Sequence, residues 1–134
     1  NTLEDFKGIK MRIPGLGGEI INRLGGISVN LSGGEVISSL KLGVLDAAEW
    51  AGAWPDTIMG FHKVAKYYYG PGIHEPGTAN ELVMRLDKWQ DLPNNLKEIV
   101  KSSCHAIYIE SLAEFLHYNS LSLEELKNKK KEQK

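Results

Sequence analysis

The chain has 134 residues, 42% of them hydrophobic and 25% charged, with a formal net charge of −1. That length and balance suit one domain with a real core and argue against wholesale disorder. The near-neutral charge argues against a dedicated nucleic-acid or membrane-surface protein, and no stretch approaches the ~18 apolar residues that a membrane span needs.

The opening "NTLEDFKG" has neither an initiator Met nor a basic and apolar leader, so a processed product or a piece of a longer protein is expected. Helical and strand periods then alternate. "IKMRI" reads as a strand. "GGEIINRLGG" puts Ile20, Ile21 and Leu24 on one helical face and stops at Gly25-Gly26. "ISVNL" is a short strand, and "SGGEVISSLKLG" a helix with Ser32 as N-cap and Gly43 at its exit. "VLDAAEW" reads as a third strand and "WPDTIMGFHKV" as a short helix with Pro55 in its first turn. "AKYYYG" and "ELVMRLD", rich in β-formers, are predicted as further strands around the loop "GPGIHEPGTAN".

The second half changes character. Leu96, Ile99, Val100, Cys104, Ile107, Leu112, Phe115 and Leu116 form one continuous stripe, which predicts a long helix opened by Pro93-Asn94. Ser122 with Glu125 has the spacing of a capping box and predicts the start of another helix. Units of β-α-β-α-β-α-β before long terminal helices indicate an α/β protein with a largely parallel sheet. The terminal helices carry more apolar face than such short strands can cover. They are expected to dimerise or to pack on a partner segment.

Few constellations carry chemistry. In "PGLGG", Gly15 and Gly17 are followed by Ile20 where a dinucleotide fingerprint needs its third glycine, and no lysine completes a P-loop. What remains is Arg12 at the end of a strand, before a helix whose first amides favour an anion. Arginine suits a carboxylate because its planar fork donates two parallel hydrogen bonds; the plain alternative is a surface charge beside a turn. In "LDAAEWAG", strand alternation sends Asp46 and Glu49 to opposite faces, so they are no catalytic carboxylate pair, and Trp50 is either a core aromatic or a pocket wall. The single cysteine, Cys104, reads as a buried inert thiol. "HEPG" is not H-E-x-x-H, and His62, His105 and His117 show no ligand spacing.

Four stretches in series, "KGIKMRIPGLGGEIINRLGG", "VNLSGGEVISSLKLGVLDAAEWAG", "GFHKVAKYYYGPGIHEPGT" and "WQDLPNNLKEIVKSS", closely resemble solute-binding proteins of the tripartite ATP-independent periplasmic (TRAP) transporters, the DctP family. The likeness is greatest to the mannitol/chloroaromatic branch, whose studied members bind 2-oxo acids or lactate. The resemblance implies a type II periplasmic-binding-protein-like lobe, part of a two-lobed receptor that closes on a small organic acid and delivers it to TRAP membrane permease subunits. It implies no catalysis and no nucleic acid.

By the same resemblance, Arg12 pairs with the substrate carboxylate, Trp50 lies beside the ligand with Glu49 supporting it, and the Trp50 main-chain carbonyl and Glu75 coordinate a sodium or calcium ion. Residues 1–80 would form the ligand-binding α/β lobe, and 81–134 a returning strand and long helices bridging to an N-terminal lobe not contained here. Further ligands, including a glutamine upstream of the arginine, would lie on that lobe. The full-length protein would be periplasmic, exported by a signal peptide, and a homodimer through the terminal helices is a further expectation. The alternatives are a nucleotide-binding α/β domain or a purely structural, dimerising fragment.

Overall fold

The computed structural model describes residues 2–72 and 80–132, with side chains through 128. A short 3-10 turn, Leu3–Phe6, leads into strand β1, Lys10–Arg12. Helix α1 (Gly15–Arg23), strand β2 (Ile27–Val29), helix α2 (Gly33–Lys41), strand β3 (Ala47–Ala48) and helix α3 (Ala53–Met59) follow in order. The three strands form one parallel sheet in the order β2-β1-β3, so the α2 crossover carries the chain past β1. Arg12 pairs with Val29 on one side and Ala48 on the other.

Local chemistry explains these boundaries. Ser32 opens α2, and the Glu35 carboxylate reaches back to it, accepting from the Ser32 N–H at 3.3 Å and Oγ at 2.6 Å. The core lies between α2 and the sheet. Val36 and Leu45 are almost wholly buried there with Phe61, packed by Val29, Leu31, Ile37, Leu40, Ala48, Trp50 and Met59. Ile13 and Ile21 are buried beside β1 and in α1. Ile20, placed on the same helical face by the sequence pattern, is exposed instead.

Beyond Phe61 the expected strands do not form. Residues 65–70 have no regular structure, and Tyr67 and Tyr69 are exposed. Tyr68 is tied by its hydroxyl to Asp56 rather than by its backbone to a ladder. "ELVMRLD" is irregular until Leu86, where helix α4 (Leu86–Asp91) begins, so the returning strand is absent among the described residues. β-propensity measures fit to a half-buried pleated surface, and neither segment has such a surface beside it.

Helix α5 runs unbroken from Asn94 to Glu132, about 58 Å at 1.5 Å per residue. Ser122 is therefore buried inside a continuous helix and does not begin a new one. No glycine or proline interrupts residues 94–132, so nothing forces a break. The stripe read as a core face is largely open: Leu96, Ile99, Ile107, Leu112, Phe115 and Leu116 are exposed. Cys104 is exposed too, lining an apolar recess of about 300 Å³ with Leu82, Met84, Trp89 and Val100. The helix touches the rest of the chain mainly along α3.

Candidate functional site

Arg12 ends the central strand, at the carboxyl edge where open α/β sheets hold ligands. The loops after both flanking strands fix its guanidinium. Nε donates to the Leu31 carbonyl at 3.3 Å, and Nη1 to the Glu49 carbonyl at 3.2 Å. The Glu49 N–H in turn donates to the Arg12 carbonyl at 2.9 Å. The Glu49 carboxylate lies 3.6 Å from Nη1, an ion pair beyond hydrogen-bond range, with the two side chains only 14% and 18% exposed. Among the described residues Nη2 has no partner. The result is a largely buried, immobilised cation with one donor edge still to offer.

Trp50 lies over this cation. The guanidinium carbon is 5.0 Å from the centre of the indole, within cation–π range. The ring can lie there because Gly33, at the start of α2, has no side chain: a Cβ at that position would come within 2.7 Å of Trp50 Cη2. Phe61 supports the indole from the core, with ring centres 5.7 Å apart. Helix α1 begins at Gly15 with Pro14 as its N-cap and no side-chain cap, adding the positive end of a helix dipole three residues beyond Arg12.

Strand alternation does not govern Glu49 and Trp50 as expected, because β3 ends at Ala48. The chain leaves the sheet there, and both residues turn onto Arg12. Asp46 goes elsewhere: it is exposed, and its carboxylate accepts from the Lys10 N–H at 2.9 Å. Glu75, the remaining expected ligand, lies outside the described residues.

The segment after Trp50 is braced from two directions. Gly52, the N-cap of α3, sits at φ +153°, and a Cβ there would stand 3.0 Å from Asn119 Oδ1. Asn119, from α5, accepts from the Trp54 N–H at 2.8 Å, while Trp54 packs on Tyr118 and Phe115 with ring centres 4.8 Å and 5.2 Å away. The Asp56 carboxylate reaches back to the Gly52 N–H at 3.3 Å and also meets the Tyr68 hydroxyl. Burial raises the Asp56 pKa, opposed by the Tyr68 hydroxyl and the Gly52 and Ala51 amides. Tyr68 is pushed above its ordinary range by burial first, then by the Asp56 charge and hydrogen bond. Sequence reasoning missed Leu31, Gly33, Asp56, Tyr68 and Asn119 as parts of the site. Only Asp56, an acid in a helix's first turn, gave any signal.

A cation fits this donor set only in part. Among the described residues no three His, Cys, Asp or Glu side chains gather. The Trp50 carbonyl oxygen, however, accepts no hydrogen bond among the described residues, since the N–H four residues on goes to Asn119. An open neutral oxygen is one ligand of the kind a hard cation takes, with its remaining positions left to other oxygens.

Residues 1–134 match the family described as bacterial extracellular solute-binding protein, family 7, DctP. A curated monocarboxylate 2-oxoacid-binding periplasmic protein of Nostoc is 44% identical over 102 residues, 76% of this chain and 28% of that protein. A TRAP periplasmic solute-binding protein of Colwellia psychrerythraea, solved with calcium and pyruvate, matches at 38% identity and TM-score 0.83, covering 96% of this chain and 39% of that one. One from Pseudoalteromonas atlantica, solved with sodium and pyruvate, matches at 35% identity and TM-score 0.81 over the same shares, 96% and 39%. The chain thus spans well under half the length of each of these relatives.

Proposed function

From the premise that the chain belongs to the DctP family of bacterial extracellular solute-binding proteins, we propose that it is the ligand-holding part of a periplasmic TRAP receptor for a small 2-oxo acid bound together with a metal ion. The observation that carries this reading is the anchored Arg12 guanidinium, partly buried beneath Trp50 with a donor edge unspent. The two relatives solved with pyruvate and either calcium or sodium support the ligand class.

In this reading Arg12 pairs with the ligand carboxylate, and Trp50 walls the cleft. Glu49 holds the guanidinium in place and offsets its charge when the cleft is empty. Nε and Nη1 are already held by carbonyls, so little side-chain entropy is lost on binding. The Trp50 carbonyl and Glu75 hold a calcium or sodium ion that neutralises the ligand's remaining oxygens. Residues 1–80 form the ligand lobe. Residues 81–134 bridge to a second lobe that covers the open face of α5 and supplies further ligands. The loaded receptor serves TRAP permease subunits, and its activity is binding rather than catalysis.

Calorimetric titration of the receptor carrying this chain, with pyruvate in the presence and absence of calcium, tests the reading. Arg12→Lys keeps the charge but loses the fork, and should weaken pyruvate at least ~10-fold, the loss of one charge-assisted hydrogen bond. Unchanged affinity would remove Arg12 from the carboxylate site. Glu75→Gln should lower the calcium dependence and leave melting unchanged; an identical calcium dependence would remove Glu75 from the ion.

A further inference from the structure

The N-terminus of α3 is capped by two residues that are not at the N-cap. Gly52 has no side chain to offer, and Pro55, the third helical residue, has no N–H to satisfy. Asn119 fills the first role from 65 residues away, its Oδ1 accepting from the Trp54 N–H at 2.8 Å in the space where a Gly52 side chain would stand. Asp56, one position beyond the usual capping-box acid, accepts from the Gly52 N–H at 3.3 Å. Trp54 stacks on Tyr118 and meets Phe115 edge-on, and these two rings share a face of α5 with Asn119 and fix its approach.

The consequence falls on Trp50. A helical N–H turns to the carbonyl four residues back when nothing else takes it, and for Trp54 that carbonyl belongs to Trp50. Asn119 intercepts the proton. It stops α3 at Ala53 and leaves the Trp50 carbonyl outside the helical ladder.

We propose that Asn119 is a positioning residue for the cation, acting through the Trp50 carbonyl that it keeps open; this rests on Trp50 being a cation ligand, as proposed above. Outer-shell groups of this kind change metal affinity about 10–100-fold. It follows that α5, which carries no ligand of its own among the described residues, reports on and controls the cleft through one amide oxygen.

The test has two readouts on the receptor carrying this chain: the Trp50 carbonyl carbon shift in metal-free, selectively labelled protein, and calcium titration with pyruvate present. Asn119→Ala should move the carbonyl shift toward that of a hydrogen-bonded helical carbonyl. It should weaken calcium ~10-fold. Asn119→Asp, which keeps an acceptor oxygen, should restore both. Asn119→Leu removes the acceptor at similar volume and replaces the Ala variant if that does not fold. An unmoved carbonyl shift, or calcium binding equal to wild type in the Ala or Leu variant, overturns the proposal. An Asp variant as weak as Ala overturns it too. Failure of the wild-type receptor itself to bind calcium sinks instead the ligand reading on which the proposal stands.

Discussion

The sheet edge around Arg12 and the long helix α5 are built on opposite principles. At the sheet edge, β1, two loops, α2 and Phe61 converge within one side chain's reach, and both the cation and the indole are fixed by several partners. Helix α5 is regular for 39 residues yet, among the described residues, meets the α/β part of the chain mainly where Trp54 sits against Phe115, Tyr118 and Asn119. No glycine or proline interrupts its helix, whereas the sheet edge's order comes from packing. Secondary structure and tertiary cover are therefore separable here, and the single peg between the two regions gains importance from their difference.

Mutations should expose that contrast first in stability. Leu45→Ala empties a site only 2% exposed and should cost about 2–5 kcal/mol in urea unfolding of the chain, whereas Leu112→Ala, half exposed on α5, should stay within about 0.5 kcal/mol. Equal costs would mean that α5 is packed as firmly as the core. Tyr68→Phe comes next. It strips one partner from the buried Asp56 carboxylate and should cost about 1 kcal/mol in the same assay; no change would show that the hydroxyl bond adds nothing.

The pH dependence is smaller and has a definite sign. The folded pKa of Asp56 is raised, so the folded state holds the proton more tightly than the unfolded one. Its contribution is then fully present below the unfolded pKa and is lost as pH rises from about 4 through the folded value. Asp56→Asn should flatten that part of the stability curve, and a curve of unchanged slope would contradict the assignment. Tyr68 acts the same way at the alkaline end, its contribution falling once pH exceeds about 10. The smallest effect is chemical. Cys104 should accept a maleimide in the folded 134-residue chain with no change in melting, and protection of the thiol would mean that its face of α5 is covered.

Much of the first region was legible in the sequence, because amphipathic periods, Ser32 with Glu35, and glycine stops are local signals. Elements β1 through α3 follow in the order those signals predicted, although β3 is cut to Ala47–Ala48 and α3 ends at Met59, with "FHK" forming a separate 3-10 turn. The errors share one cause. The tyrosine run and "ELVMRLD" have β-propensity but no adjacent strand, Ser122 has a cap's spacing but sits mid-helix, and Cys104 lies exposed on a stripe that is largely open among the described residues. Each reading inferred a neighbour from a one-dimensional pattern. The meeting of Glu49 and Trp50 over Arg12 was hidden for a related reason: it depends on β3 stopping after two residues, which alternation does not reveal. Asn119 was invisible because its partner is 65 residues distant.

The most direct measurement is a crystal structure of the receptor carrying this chain, grown with pyruvate and calcium. The account predicts a pyruvate carboxylate oxygen within hydrogen-bond distance of the Arg12 guanidinium, under the Trp50 ring, and calcium on the Trp50 carbonyl. Pyruvate bound away from Arg12, with the guanidinium still held only by Leu31 and Glu49, would contradict it.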